Sequence, residues 1–316
     1  MADQVQHYLP RFLLKHFRNE KTKSVHVFDK QTGKSFAASP NNVAAEKGFY
    51  DVTLGEFVAS MEPSLAKLES TAAEVVSKLR QTENMRVVSQ AERGILAHFI
   101  AVQMVRTRAA REMQKSLGAT MATKLREQAA TPEQSRATDE FIGPPPSEED
   151  EKLFAIRFMR DASSKFAPLL ALKDWLLCRP DSNDRFVVGD HGVGRHNMND
   201  LSPRGNLGLM SPGIEIYLPL SPQLALAMWC PTLLAEVQQG LSQIHGPKPK
   251  PALELLKAVE SGTPLSFRPE NVTYANSLQI RAAERFVFSC HGDFSLAKEM
   301  VSDHPHMRVG ERYEVC

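Results

Sequence analysis

Apolar positions recur at helical spacing through two long stretches of the first half. Phe57, Met61, Leu65, Leu68, Ala72, Val76 and Leu79 form one stripe, which predicts a helix from about Leu54 to Arg80. Ser89 reads as an N-cap with Glu92 at its capping-box position. Ile95, Leu96, Phe99, Ile100 and Val102 then give a second helix its apolar side, continuing beyond Met113. Two helices this long predict an antiparallel pair as the scaffold of the N-terminal half.

Ahead of them, Pro10 opens a short helix with Leu9, Phe12, Leu13 and Phe17 as its contacts. Residues 25–28 and 35–37 read as a β-hairpin turning at Gly33, and Ser39-Pro40-Asn41 as the start of a short helix through Phe49. Residues 127–152, with Pro144-Pro145-Pro146 and an acidic cluster, read as a surface loop or linker. An amphipathic helix is expected over Phe166–Cys178, carrying Trp175. Short strands follow at Arg185–Val188, Ile214–Leu218 (ended by Pro219-Leu220-Ser221-Pro222) and Arg285–Phe288, with helices over Leu233–Ile244, Ala252–Val259 and Asn271–Ala283. The expected fold is helix-dominated α+β: the helix pair and a small hairpin first, then a small sheet flanked by helices.

Composition changes this picture little. The 316 residues include 42% apolar and 24% charged positions, which excludes wholesale disorder. Lys+Arg 38 against Asp+Glu 37 gives a formal charge of +1, so no global field draws in nucleic acid or anionic lipid. The four cysteines (Cys178, Cys230, Cys290, Cys316) lack Cys-x-x-Cys spacing, and the first residues lack the apolar core of a signal peptide. No stretch has the roughly 18 apolar residues of a membrane span. A reduced, cytoplasmic protein without a membrane partner is the expectation.

Several polar residues fall where a core should be apolar. Glu69 lies on or beside the stripe between Leu65 and Ala72, while Gln103 and Arg106 extend the apolar face begun by Phe99. Buried charges of this kind need partners, so the three either satisfy one another or face a shared cavity. His7 precedes the first helix near the positive end of its dipole, with Arg11 in the first turn; that position disfavours the imidazolium. Asp190 sits where a strand runs into a loop holding Gly189, Gly192 and Gly194, a usual place for functional groups. His191 with His196, and His304 with His306, have no spacing tied to a known metal site.

These residues are familiar as a set. Gln6-His-Tyr-Leu-Pro-Arg-Phe-Leu-Leu-Lys-His-Phe17 closely resembles the opening of the bacterial domain-of-unknown-function family 4238. The likeness continues through Ser39–Tyr50, Leu68-Glu69 with Ala72-Ala73, Gln103 with Arg106-Thr107, and Phe186–Asp190. It ends with Glu215–Pro222 and with Asn276 ahead of Arg285–Phe288, so it runs over nearly the whole chain as one family-wide domain, 1–316. Family members usually carry Ser-Asp-x-Pro where this chain has Gly189-Asp190-His191-Gly192. The resemblance names no reaction. It implies that His7, Arg11, Glu69, Gln103, Arg106 and Asp190 belong to one recurring pattern.

Two functions compete. One is an enzyme acting on a phosphate-containing substrate, a nuclease-like or phosphoesterase hydrolase. In it His7, Glu69, Arg106 and Asp190 are catalytic, and Arg11, Gln103 and Asn276 bind the ligand. A divalent metal is left open without a motif that specifies one, and nucleic acid as a partner is not supported by the net charge. The other is a non-catalytic binding or interaction module in which the same residues form a structural network.

Overall fold

In the computed structural model, which describes residues 4–199 and 207–312, the chain is helix-dominated α+β. The N-terminal part runs β1 (Val5–His7), α1 (Arg11–His16), β2 (Val25–Asp29), β3 (Ser35–Ala38), β4 (Ala45–Lys47), β5 (Asp51–Leu54) and β6 (Phe57–Ser60). Five helices follow: α2 (Glu62–Thr82), α3 (Gln90–Arg106), α4 (Arg108–Glu127), α5 (Pro132–Ile142) and α6 (Glu148–Ala171). Next come β7 (Asp174–Pro180), β8 (Val188–Gly189), β9 (Gly194–Asn197), β10 (Ile214–Ser221) and β11 (Leu224–Trp229). The chain continues with α7 (Pro231–Ser242), α8 (Lys250–Ser261), β12 (Leu265–Phe267), α9 (Pro269–Ala282), β13 (Phe286–Ser289) and α10 (Ser295–Asp303).

Two sheets organise these elements. The five-stranded one has the order β12-β7-β11-β10-β9, with only β12 and β7 parallel. The four-stranded one, β3-β2-β13-β8, joins the hairpin near the start of the chain to a strand near its end. Every residue of β10 is buried, because both faces of its sheet are covered. Ile214, Ile216, Leu218 and Leu220 face the main core with α1, α2, α3 and α6, whereas Tyr217 turns to a second core under α8 and α9. α3 packs chiefly on α6 and secondarily on α2.

The structure departs from the sequence expectations where a distant partner chooses the local form. Residues 39–49 form no helix: Ala44 is left-handed (φ 51°), and β4 pairs antiparallel with β1. α2 starts at Glu62, with Pro63 in its first turn, and residues 51–60 before it fold into a hairpin at Gly55. Phe57, expected on the core stripe, is therefore 79% exposed. Trp175 lies on a strand rather than a helix, because residues 174–178 pair with β11. The 127–152 stretch is mostly helical: capping boxes at Thr131/Gln134 and Ser147/Asp150 start α5 and α6 and leave only 128–131 and 143–147 as connections. β10 continues through Pro219 by way of an irregularity before Ser221. Cys316 lies outside the described residues.

Candidate functional site

The predicted polar residues on α2 and α3 do meet. Thr107 is extended (ψ 164°), so it ends α3 and caps α4 through its hydroxyl, which accepts from the Ala110 amide at 3.3 Å. Arg106 is thereby the last residue of α3. Its guanidinium Nη2 lies 2.7 Å from Glu69 Oε1, with the arginine side chain 1% and the glutamate side chain 23% exposed. Nη2 also donates to the His7 carbonyl (3.2 Å) and Nε to the Tyr8 carbonyl (3.4 Å). Gln103, one turn earlier, donates from Nε2 to the Tyr8 carbonyl (3.0 Å) and to the His191 carbonyl (3.1 Å). The misplaced polar groups of the helices thus close on the backbone of the segment after β1.

Gln6 and Tyr50, which no apolar pattern singles out, complete this ring. The Tyr50 hydroxyl donates to the carbonyls of His7 (3.4 Å) and Arg106 (3.3 Å). Gln6 donates to Asp51 Oδ1 at 2.6 Å and accepts the Tyr50 amide at 2.5 Å. Burial alone would depress the Arg106 pKa, but Tyr50 and Glu69 carry it above the ordinary arginine value. Buried and charged, Arg106 is a fixed cation.

His7 stands at the edge of this network. Burial first, and the Arg11 guanidinium second, hold its pKa below the ordinary histidine value, against the backbone of Pro40 and Asn41 and the Glu69 carboxylate. The shift favours the neutral imidazole, and its Nε2 is buried without a hydrogen-bond partner. Arg11 is exposed, at the start of α1. Glu62 belongs here too: burial, then the Glu69 charge, raise its carboxyl above the usual range, while Arg106 and Arg11 oppose. The signal for Glu62 was its position seven residues, two helical turns, before Glu69. Gln103 Oε1 is the other buried atom here without a partner.

Asp190 is engaged elsewhere. Its carboxylate, 1% exposed, accepts the backbone amides of Glu284 (2.7 Å), Arg285 (3.0 Å) and Phe286 (3.0 Å). Lys30, fully buried, donates to the carbonyls of Ile280 (2.6 Å) and Ala283 (2.5 Å). The pair therefore satisfies both kinds of backbone group where α9 gives way to β13. Burial raises the Asp190 pKa to about 6, against the three amides and Lys30; burial lowers Lys30 to about 8, against Asp190. No hydrogen bond or ion pair joins the Asp190 carboxylate to His7, Glu69 or Arg106.

Asn276 also serves the backbone. Its Oδ1 accepts the Val187 amide and its Nδ2 donates to the Arg185 carbonyl, each at 2.9 Å. The turn after β8 fits the same scheme. A Cβ at Gly189 would stand 2.5 Å from the Gln279 carbonyl oxygen, and Gly192 is left-handed (φ 83°) against Leu9. Glycine at 189 thus lets α9 approach the strand closely. His191, after Asp190, pairs through Nδ1 with the Thr107 hydroxyl at 2.7 Å, and burial followed by Arg195 drives its pKa down to about 3. Gln103 ties the two clusters together through the His191 carbonyl.

Among the described residues, no group of three or more His, Cys, Asp or Glu is assembled to hold a metal ion. No helix among them is long and apolar enough to cross a membrane. The family model described as "Protein of unknown function (DUF4238)" matches residues 5–293. No curated protein and no solved structure matches the chain.

Proposed function

The chain belongs to the DUF4238 family, whose description assigns no function, and from its own residues we propose an enzyme that hydrolyses a phosphate ester at the niche of His7, Arg11, Glu62, Glu69 and Arg106. The observation that carries the reading is the imidazole of His7, with a buried, unpartnered Nε2, set beside the Arg11 guanidinium and the Glu69 carboxylate, with the Glu62 carboxyl next to Glu69 in turn. Nε2 is shielded from solvent, so the proposed reaction requires this cluster to open locally to admit the ester. His7 then takes a proton from the attacking water as the new P–O bond forms. The ester P–O bond breaks, and the leaving alkoxide takes its proton from Glu62, whose raised pKa suits an acid. Arg11 offsets charge on the phosphoryl oxygens. Glu69 and Arg106 position the His7 backbone rather than touch substrate. Cytoplasmic placement goes with this reading and is supported by Cys178, Cys230 and Cys290 standing as free thiols.

The test is a phosphoester panel (aryl mono- and diesters and a short oligonucleotide) with wild type, His7→Gln and Glu62→Gln. Turnover that falls by about 100-fold or more in both variants, at unchanged melting temperature, is expected. Absence of turnover in the wild type, or turnover indifferent to both substitutions, overturns the proposal. A purely structural network is the second reading, favoured by the number of bonds that Arg106 and Gln103 spend on main-chain carbonyls. That reading expects His7→Gln to lower stability and no ester to be hydrolysed.

A further inference from the structure

The other end of α1 opens on a different feature, an open groove of about 750 Å³. Its walls carry six cations: Lys15, Arg18, Lys21, Lys23, Arg80 and Arg185, with Glu20 the one carboxylate among the lining residues. The whole chain has a net charge of only +1, so positive charge is gathered here while the rest of the chain is net negative. Among the described residues, none of the six forms an ion pair with a carboxylate. Arg80, exposed at the C-terminal end of α2, has its pKa lowered by partial desolvation alone, with no carboxylate to oppose it.

The groove is built, not merely a run of basic residues. Its wall at 19–24 is folded on Asn19, whose side chain accepts the amides of Lys21 (3.0 Å) and Thr22 (3.2 Å) and donates to the Cys290 carbonyl (3.2 Å). Lys23 is held left-handed (φ 59°) by that fold, a conformation unfavourable for a residue with a side chain. Arg185 is braced by the carbonyls of Asn183 and Asp184, and Arg18 by that of Lys15. The guanidinium edges not used for bracing are free for a ligand. The groove has the volume of a small-molecule site, and its lining includes no Phe, Tyr or Trp on which bases could stack.

We propose that this groove binds a compact anion bearing two or more phosphoryl groups, whether or not any ester is turned over at the niche on α2 and α3. Phosphoryl oxygens match guanidinium and ammonium donors, and several linked phosphoryl groups engage cations on opposite walls at once. The experiment is calorimetric titration of the full chain with inorganic tripolyphosphate, with ATP and a short oligothymidylate as parallel arms. Tripolyphosphate and ATP should bind one-to-one with similar Kd, weakening as salt rises. Arg18→Glu/Arg80→Glu should raise both Kd values by about tenfold or more, and Lys257→Glu on α8 should leave them unchanged. Lys21→Glu/Lys23→Glu, on the exposed wall, repeats the test without touching a helix. Tripolyphosphate that does not bind, or binding indifferent to both reversals, overturns the proposal. So does an oligothymidylate that binds tighter than tripolyphosphate by about tenfold at equal salt, since the groove would then be a nucleic-acid track.

Discussion

Replacing Arg106 with methionine removes the cation at the centre of the niche while keeping much of the side chain's length. Breaking a buried pair from one side costs about 3–5 kcal/mol when a charge is left stranded. Here the stranded partner is Glu69, whose side chain is 23% exposed, so water takes over part of the arginine's role. The two carbonyls also keep a donor each: Tyr8 retains Gln103 at 3.0 Å and His7 retains the Tyr50 hydroxyl at 3.4 Å. The expected loss is therefore about 2–3 kcal/mol, or about 5 °C in melting temperature for a chain of this size. Glu69→Gln keeps an acceptor for Nη2 but leaves a buried guanidinium without its nearest carboxylate, for about 1–2 kcal/mol. In the double variant the second change has nothing left to break, so the two losses must not add. Urea unfolding of the four proteins reads this directly. Strictly additive losses, or an Arg106→Met protein within about 0.5 kcal/mol of wild type, would refute the pairing argument.

Two further outcomes follow from the second cluster. Gly189→Ala should destabilise by about 1–3 kcal/mol, because the new Cβ meets a backbone carbonyl that cannot step aside; an unchanged urea midpoint contradicts this. The Asp190 pKa is raised on folding from 3.8 to about 6, so the folded state binds the extra proton and stability falls as pH rises through that window. Asp190→Asn should remove a slope worth about 3 kcal/mol between about pH 4 and 6, and unfolding curves with equal slopes in both proteins would contradict it.

What the sequence made legible follows from how local each signal is. The capping box at Ser89, the hairpin turning at Gly33 and the helices α7 to α9 depend on neighbours a few residues away, and all stand in the structure. Residues 39–49 and Trp175 were misread because β1 and β11, far away in sequence, select their extended form. The Glu69–Arg106 contact could be foreseen, since charge on an apolar stripe demands a partner. The bonds from Arg106 and Gln103 to backbone carbonyls could not, because a carbonyl is present at every residue and marks none. Asp190 looked functional for its loop position, yet that same position is what brings three amides to its carboxylate.

The central claim is that a phosphoryl group comes to rest beside the imidazole of His7. Nuclear magnetic resonance of the His7 ring, titrated with pH in the absence and presence of an aryl phosphate, tests it most directly. The account predicts a pKa below 6.5 in the free protein, for the reasons of burial and Arg11, and a rise when the anion is bound. A His7 ring that titrates identically with and without the ester would contradict it.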